Sequence, residues 1–240
     1  MTKFFGGLFL MLQFVALGVF AQGPNNSGTY YKSADGLKGK ALKTAMFKIV
    51  SSHTQLSYKN IWTAFKTTDK RDDGKVWDMY SCTTNYRFGT DQAGNFSKEG
   101  DKYNREHSFP KSWFNDAFPM YTDLVHLVPT DGKVNGMRSN YPFGETKGEE
   151  YKSNNGFSKL GSCTYPGYAG TVFEPNDEYK GDFARIYFYM ATAYEDKITN
   201  WTQTAILQKN SYKPYKDWQL KMLMEWSKKD AVSKKEIDRN

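Results

Sequence analysis

The chain has 240 residues, with 33 Lys and Arg against 26 Asp and Glu, a net charge of +7 and a pI near 9.1. With 39% hydrophobic and 17% aromatic residues it has ample material for a packed core, which excludes a mostly disordered chain. The basic surplus favours a polyanionic partner, either nucleic acid or an anionic membrane surface. At the N-terminus, Lys3 precedes an apolar run from Phe4 to Phe20, and Val19-Phe20-Ala21 fits a small-residue cleavage site. Residues 1–21 are therefore expected to be a cleaved signal peptide, giving a periplasmic or secreted protein; a retained membrane anchor is the alternative. Cleavage removes one Lys and no acid, leaving 32 bases against 26 acids, so the surplus belongs to the mature chain. No later segment is long and apolar enough to span a bilayer.

Residues 22–35 are polar and rich in turn formers, as in a flexible leader. From Leu37 to His53, apolar residues recur at spacings of three and four, predicting an amphipathic helix, with a second short helix around Ile61 to Phe65. Val76 to Tyr80 has strand composition, and a turn-rich stretch separates it from Tyr103. Tyr103 to Glu145 reads as strand, strand, short helix, with Thr130 or Asp131 as the helix N-cap and Asn140 at its end. Tyr179, Phe183, Ile186, Tyr187, Met190 and Tyr194 draw a single helical stripe expected to be core, and a last helix runs near Trp218 to Trp226. The expectation is a single α+β domain over residues 36–240, acting as a monomer. Cys82 and Cys163, the only two cysteines, are expected to form a disulfide, which in an exported protein would close a loop of about 80 residues and contribute roughly 4 kcal/mol. Two separate buried thiols are the alternative.

The chemistry concentrates between Tyr103 and Glu145. Glu106 and His107 set a carboxylate beside an imidazole, His126 sits on an apolar strand, and Asn135 and Arg138 lie one turn apart on the short helix. Phosphodiester hydrolysis needs an activated water, a cation at the phosphate and charge relief on the leaving oxygen. His107 can act as base, Glu106 and Asn135 offer oxygen ligands suited to Mg²⁺ or another divalent ion, and Arg138 can contact phosphate. One geometric condition attaches to this reading: neighbours on a strand point to opposite faces, so a bend is expected at Glu106-His107, with Pro110 downstream ending any regular ladder. Arg185 can pair with Asp182 or meet phosphate. His126, between Val125 and Leu127, is expected to be a hydrogen-bonded core residue. A zinc site from Cys82, His107, His126 and Cys163 lacks any compact ligand spacing.

Asn104-Arg105-Glu106-His107, Pro110-Lys111-Ser112, Asp123-Leu124, Leu127-Val128-Pro129, Asn135 and Arg138-Ser139-Asn140 stand in the order seen in the bacterial endonuclease I family, and the sequence resembles that group. Phe173-Glu174-Pro175 and the stretch from Lys180 to Met190 extend the resemblance to roughly residues 37–240. It implies a ββα-metal (His-Me finger) active site packed among several helices, and a Mg²⁺-dependent, largely sequence-nonspecific endonuclease on DNA, or also RNA, leaving 5′-phosphate ends. His107 matches the general base, and Glu106 and Asn135 the metal ligands. Val125 stands where many members carry a His, and no match is found for an Arg that some place between the base and the Asn. A non-catalytic nucleic-acid-binding protein on the same scaffold is the alternative function.

Overall fold

The computed structural model describes residues 28–82 and 84–239. The expected signal peptide lies outside the described residues. At its described end the expected leader carries a 3-10 turn over Lys32–Ala34 with Ala34 buried.

The central element is the helix α4, here Asp177–Ala193, counted after α1 (Gly39–Val50), α2 (Ile61–Thr68) and α3 (Gly132–Arg138). Asn176 caps α4 by accepting from the Glu178 amide at 3.1 Å, and Asp177 and Glu178 place negative charge on its N-terminal dipole. Its buried stripe, Tyr179, Phe183, Tyr187 and Met190, meets Phe109, Phe143 and Phe173 in the main hydrophobic cluster. α5 (Asp217–Lys229) packs on α4, burying Trp218, Met222, Leu223 and Trp226. α1 also lies on α4, with no fully buried residue of its own.

The described residues also form two small antiparallel sheets. β1 (Tyr103–His107) pairs with β2 (Leu127–Asp131), and β3 (Tyr151–Lys152), β4 (Lys159–Ser162) and β5 (Thr171–Glu174) form a three-stranded sheet in the order β3-β4-β5. The arrangement is mixed α+β, as expected. The strand expected at Val76 to Tyr80 does not form. Asp78 is the reason: its Oδ1 accepts the amides of Tyr80 at 2.8 Å and Ser81 at 3.3 Å, which turns the chain locally, and its Oδ2 accepts the Asp131 amide at 3.0 Å. The disulfide is absent as well. Cys82 is an exposed free thiol beside Asn154 and Asn155, and Cys163 is a separate, half-buried one whose sulfur faces the Tyr165 carbonyl.

The charged C-terminal stretch folds back as α6 (Lys234–Arg239). Lys235 is buried and donates to Asp69, whose other oxygen lies 3.4 Å from Arg239 Nε and accepts the Thr68 hydroxyl at 2.7 Å. Arg239 continues to the carbonyls of Leu124 at 2.6 Å and Leu127 at 2.5 Å. Burial pushes the Asp69 pKa up, but the charges of Arg239 and Lys235 outweigh it and hold the carboxyl below its ordinary value. A carboxyl depressed in the folded state adds stability that is present above the unfolded value of about 3.9 and lost as pH falls through the lower folded value. Asp69→Asn should therefore show a shallower fall of melting temperature below about pH 4 than the parent. Parallel acid profiles would remove this carboxylate from the acid-labile part of the fold.

Candidate active site

β1, β2 and α3 follow one another in space as in sequence. The register is unbroken from Tyr103 opposite Asp131 to His107 opposite Leu127. Pro129 is accommodated because each strand of a two-stranded ribbon has a free edge where no amide is needed. Asp131 ends β2 and caps α3, its Oδ1 accepting the Val134 amide at 2.9 Å while its Oδ2 accepts the Tyr86 hydroxyl at 2.5 Å and the Gly100 amide at 2.7 Å. Gly132 lets α3 close on the ribbon: a Cβ there would lie 2.8 Å from the Phe96 ring and 3.2 Å from Asn104 Nδ2.

The expected bend at Glu106-His107 is not present within β1. Side chains alternate as on a regular strand, with Asn104 on the α3 side and Tyr103, Arg105 and His107 against Trp62, Tyr58 and Tyr121. Glu106 thus faces α3, where its Oε1 accepts the Arg138 guanidinium at 2.8 Å and the Tyr80 hydroxyl at 2.9 Å. Burial raises its pKa to about 7, against the charge of Arg138 and the bond from Tyr80. Neither of those bonds reaches Oε2. Asn135 precedes Arg138 by three residues, so the two share a face of α3, and its half-buried side chain makes no hydrogen bond to the described residues. A carboxylate and an amide oxygen are donors of the kind that suit a hard divalent cation that keeps several waters. Among the described residues no group of three or more His, Cys, Asp and Glu could hold a metal, so the zinc arrangement does not form.

Arg138, expected at phosphate, is instead an internal residue with 1% exposure. Besides Glu106 it donates to the carbonyls of His107 at 3.1 Å and Ser108 at 2.6 Å. Arg185 is likewise committed to the fold, at 2.5 Å from Glu236 and 2.8 Å from the Asp230 carbonyl; Asp182, its expected partner, accepts the Ser233 hydroxyl. Arg138 is closed off from solvent, whereas Arg185 is half-buried with its guanidinium engaged by Glu236 and the Asp230 carbonyl.

His107 lies on the other side of β1. Its Nε2 is 3.0 Å from the Tyr121 carbonyl oxygen. A carbonyl can only accept, so Nε2 carries the proton and Nδ1 holds the free lone pair. Burial, followed by the neighbouring His126, lowers the His107 pKa to about 3, so the imidazole is neutral at any ordinary pH. The rings of Tyr121 and Tyr58 stack beside it, at 5.2 and 6.0 Å between centroids. His126 is fully buried, with Nε2 2.7 Å from the Met120 carbonyl, in agreement with a core role. Sequence reasoning missed Tyr80, Tyr58 and Tyr121. For Tyr121 no signal existed, since the group that holds His107 is a backbone carbonyl.

Comparison with known proteins places this geometry in context. A family model described as Endonuclease I matches residues 38–240. The chain is 38% identical over 216 residues to an extracellular ribonuclease of Bacillus amyloliquefaciens, covering 88% of this chain and 69% of that protein. It is 37% identical over 223 residues to an extracellular ribonuclease of Bacillus subtilis (strain 168), covering 90% and 70%. Endonuclease-1 of Buchnera aphidicola subsp. Baizongia pistaciae (strain Bp) is 29% identical over 99 residues, 41% of this chain and 38% of that protein.

Proposed function

Because the chain belongs to the endonuclease I family and is thus a nuclease that hydrolyses phosphodiester bonds, we propose that it is a Mg²⁺-dependent, largely sequence-nonspecific endonuclease that cuts both RNA and DNA. The observation that carries the mechanism is His107: a neutral imidazole whose Nε2–H is held by the Tyr121 carbonyl, leaving Nδ1 to accept a proton. In this reading Nδ1 takes a proton from water as the water oxygen bonds to phosphorus. The bond from phosphorus to the 3′ oxygen breaks, that oxygen is protonated by solvent, and a 5′-phosphate end remains. Glu106 and Asn135 would hold Mg²⁺, which when bound supplies positive charge to offset the phosphate and the departing oxygen. Tyr80 and Arg138 position Glu106 by occupying Oε1. Since Glu106 and His107 leave β1 on opposite sides, a substrate that meets both must lie across the end of the strand.

The choice of RNA beside DNA is supported by the two relatives that match most of the chain, both named extracellular ribonucleases. Their names also support export of this protein, in accord with the apolar N-terminus. No helix among the described residues is long and apolar enough to cross a membrane. The protein acts as a monomer in this proposal, and its basic surplus attracts the nucleic-acid backbone without reading bases. An idle binding scaffold gives way to a nuclease on family membership.

The decisive experiment incubates the purified protein with RNA, single-stranded DNA and duplex DNA, with Mg²⁺ or EDTA, and tests the products for ligatable 5′-phosphate ends. Cleavage of both sugars with Mg²⁺ alone, leaving 5′-phosphates, is expected. Cleavage that persists in EDTA would count against Glu106 and Asn135 as ligands, cyclic phosphate ends against water as nucleophile, and 3′-phosphate ends against the 3′ oxygen as the leaving group.

A further inference from the structure

From the buried His107, a row of aromatic rings leads outward. Tyr121 stacks on the imidazole at 5.2 Å, and Phe118 meets Tyr121 edge-on at 5.4 Å. Tyr58 packs on Tyr121 at 4.6 Å. Phe118 ends the row at 53% exposure. A single exposed Phe is unremarkable on a protein surface. This one differs because it continues, ring to ring, into the general base.

The flanks of the row carry positive charge. The Arg105 guanidinium carbon sits over the Tyr58 ring, 3.5 Å from its centroid, and 4.4 Å from that of Trp62, with Nη1 donating to the Tyr58 carbonyl at 2.6 Å. Lys111 Nζ is 5.7 Å from the Tyr121 ring and is shared with Asp116. Aromatic faces combined with nearby cations are what a strand with splayed bases needs: the backbone is attracted by the charge while a base stacks on a ring. A duplex offers no such face, because its bases are already stacked and paired.

We infer that Phe118 and Tyr121 form a stacking subsite for an unpaired nucleobase next to the cleaved phosphodiester, so that the protein prefers single-stranded RNA or DNA over duplex. The subsite rests on the nuclease reading above and names the substrate class of that same site. The ring reads the base and not the sugar, so RNA and single-stranded DNA are held alike.

Fluorescence anisotropy in EDTA, where turnover does not intrude, tests this with a labelled single-stranded RNA, a single-stranded DNA and the DNA duplex of the same sequence. Phe118→Ala should weaken single-strand binding by about 5- to 100-fold and reduce the single-strand to duplex preference accordingly. Phe118→Trp should keep the preference. Phe118→Leu, which keeps apolar bulk without a π-face, should lose it, and it is the variant to read if thermal melting shows that the alanine variant has not folded. An unchanged preference in Phe118→Ala and Phe118→Leu, or a response confined to RNA, would overturn the subsite. Mg²⁺-supported cleavage by the parent is measured in parallel: its absence would overturn the nuclease reading, while the binding ratio still judges the subsite.

Discussion

His107→Ala should lower Mg²⁺-supported cleavage of both plasmid DNA and RNA by about 10²- to 10⁴-fold, the range for loss of a positioned general base. Nothing nearby can replace it. The chain has three His residues. His126 is fully buried with its Nε2 donating to Met120, and His53 sits by Asp123 and Tyr194. Binding of uncleaved DNA, measured in EDTA, should change little, because attraction of the backbone comes from the basic surface and not from a neutral imidazole. The separation of chemistry from binding is the diagnostic feature. If His107→Ala cuts as fast as the parent, the base lies elsewhere; if it loses binding and cutting together with an altered melting curve, His107 is a packing residue between Tyr121, Tyr58 and Phe114.

What could be read in the sequence was what repeats or caps locally. α1 and α4 followed from apolar spacings of three and four, and α3 from Asp131, whose carboxylate does cap it. β1 and β2 followed from composition and order. The elements that escaped depend on partners remote in sequence. β3, β4 and β5 are two to four residues long, too short for alternation to register, and exist because they pair with one another. α6 looks like a charged tail, yet Lys235 finds Asp69 across 166 residues and is buried with it. Val76 to Tyr80 shows the converse: strand-forming side chains were overruled by one carboxylate, Asp78, collecting backbone amides.

The candidate residues could be named from the sequence, but their arrangement could not. Glu106, His107 and Asn135 could be picked out by chemistry and by resemblance, and the anticipated difficulty was that adjacent strand residues face apart. The structure keeps that alternation and meets each side chain from its own side: α3 with Arg138 reaches Glu106, and the segment carrying Tyr121 reaches His107. Arg138, a phosphate candidate in the sequence, is buried for a related reason. A sequence records that a residue is charged, but its burial is decided by the helix face, and the face of α3 that carries Asn135 also turns Arg138 inward to Glu106.

That inward Arg138 yields the largest stability effect expected in the molecule. Arg138→Met should cost about 3–5 kcal/mol, because it leaves the Glu106 carboxylate buried without its charge partner and removes the donors to the His107 and Ser108 carbonyls. Urea denaturation of the purified variants measures this. The double variant Glu106→Gln with Arg138→Met should recover part of the loss, since an apolar side chain beside a neutral amide no longer strands a charge, and the recovered energy reports the coupling of the pair. Arg138→Lys should rescue poorly, because one ammonium cannot reproduce a planar fork that serves a carboxylate and two carbonyls at once. A surface arginine that meets phosphate predicts the reverse pattern: stability within about 0.5 kcal/mol of the parent, weakened nucleic-acid binding, and partial rescue of that binding by lysine. The two patterns share no outcome, so a single set of melts and binding curves decides whether Arg138 holds the Glu106 side of the site in place or reaches out of it.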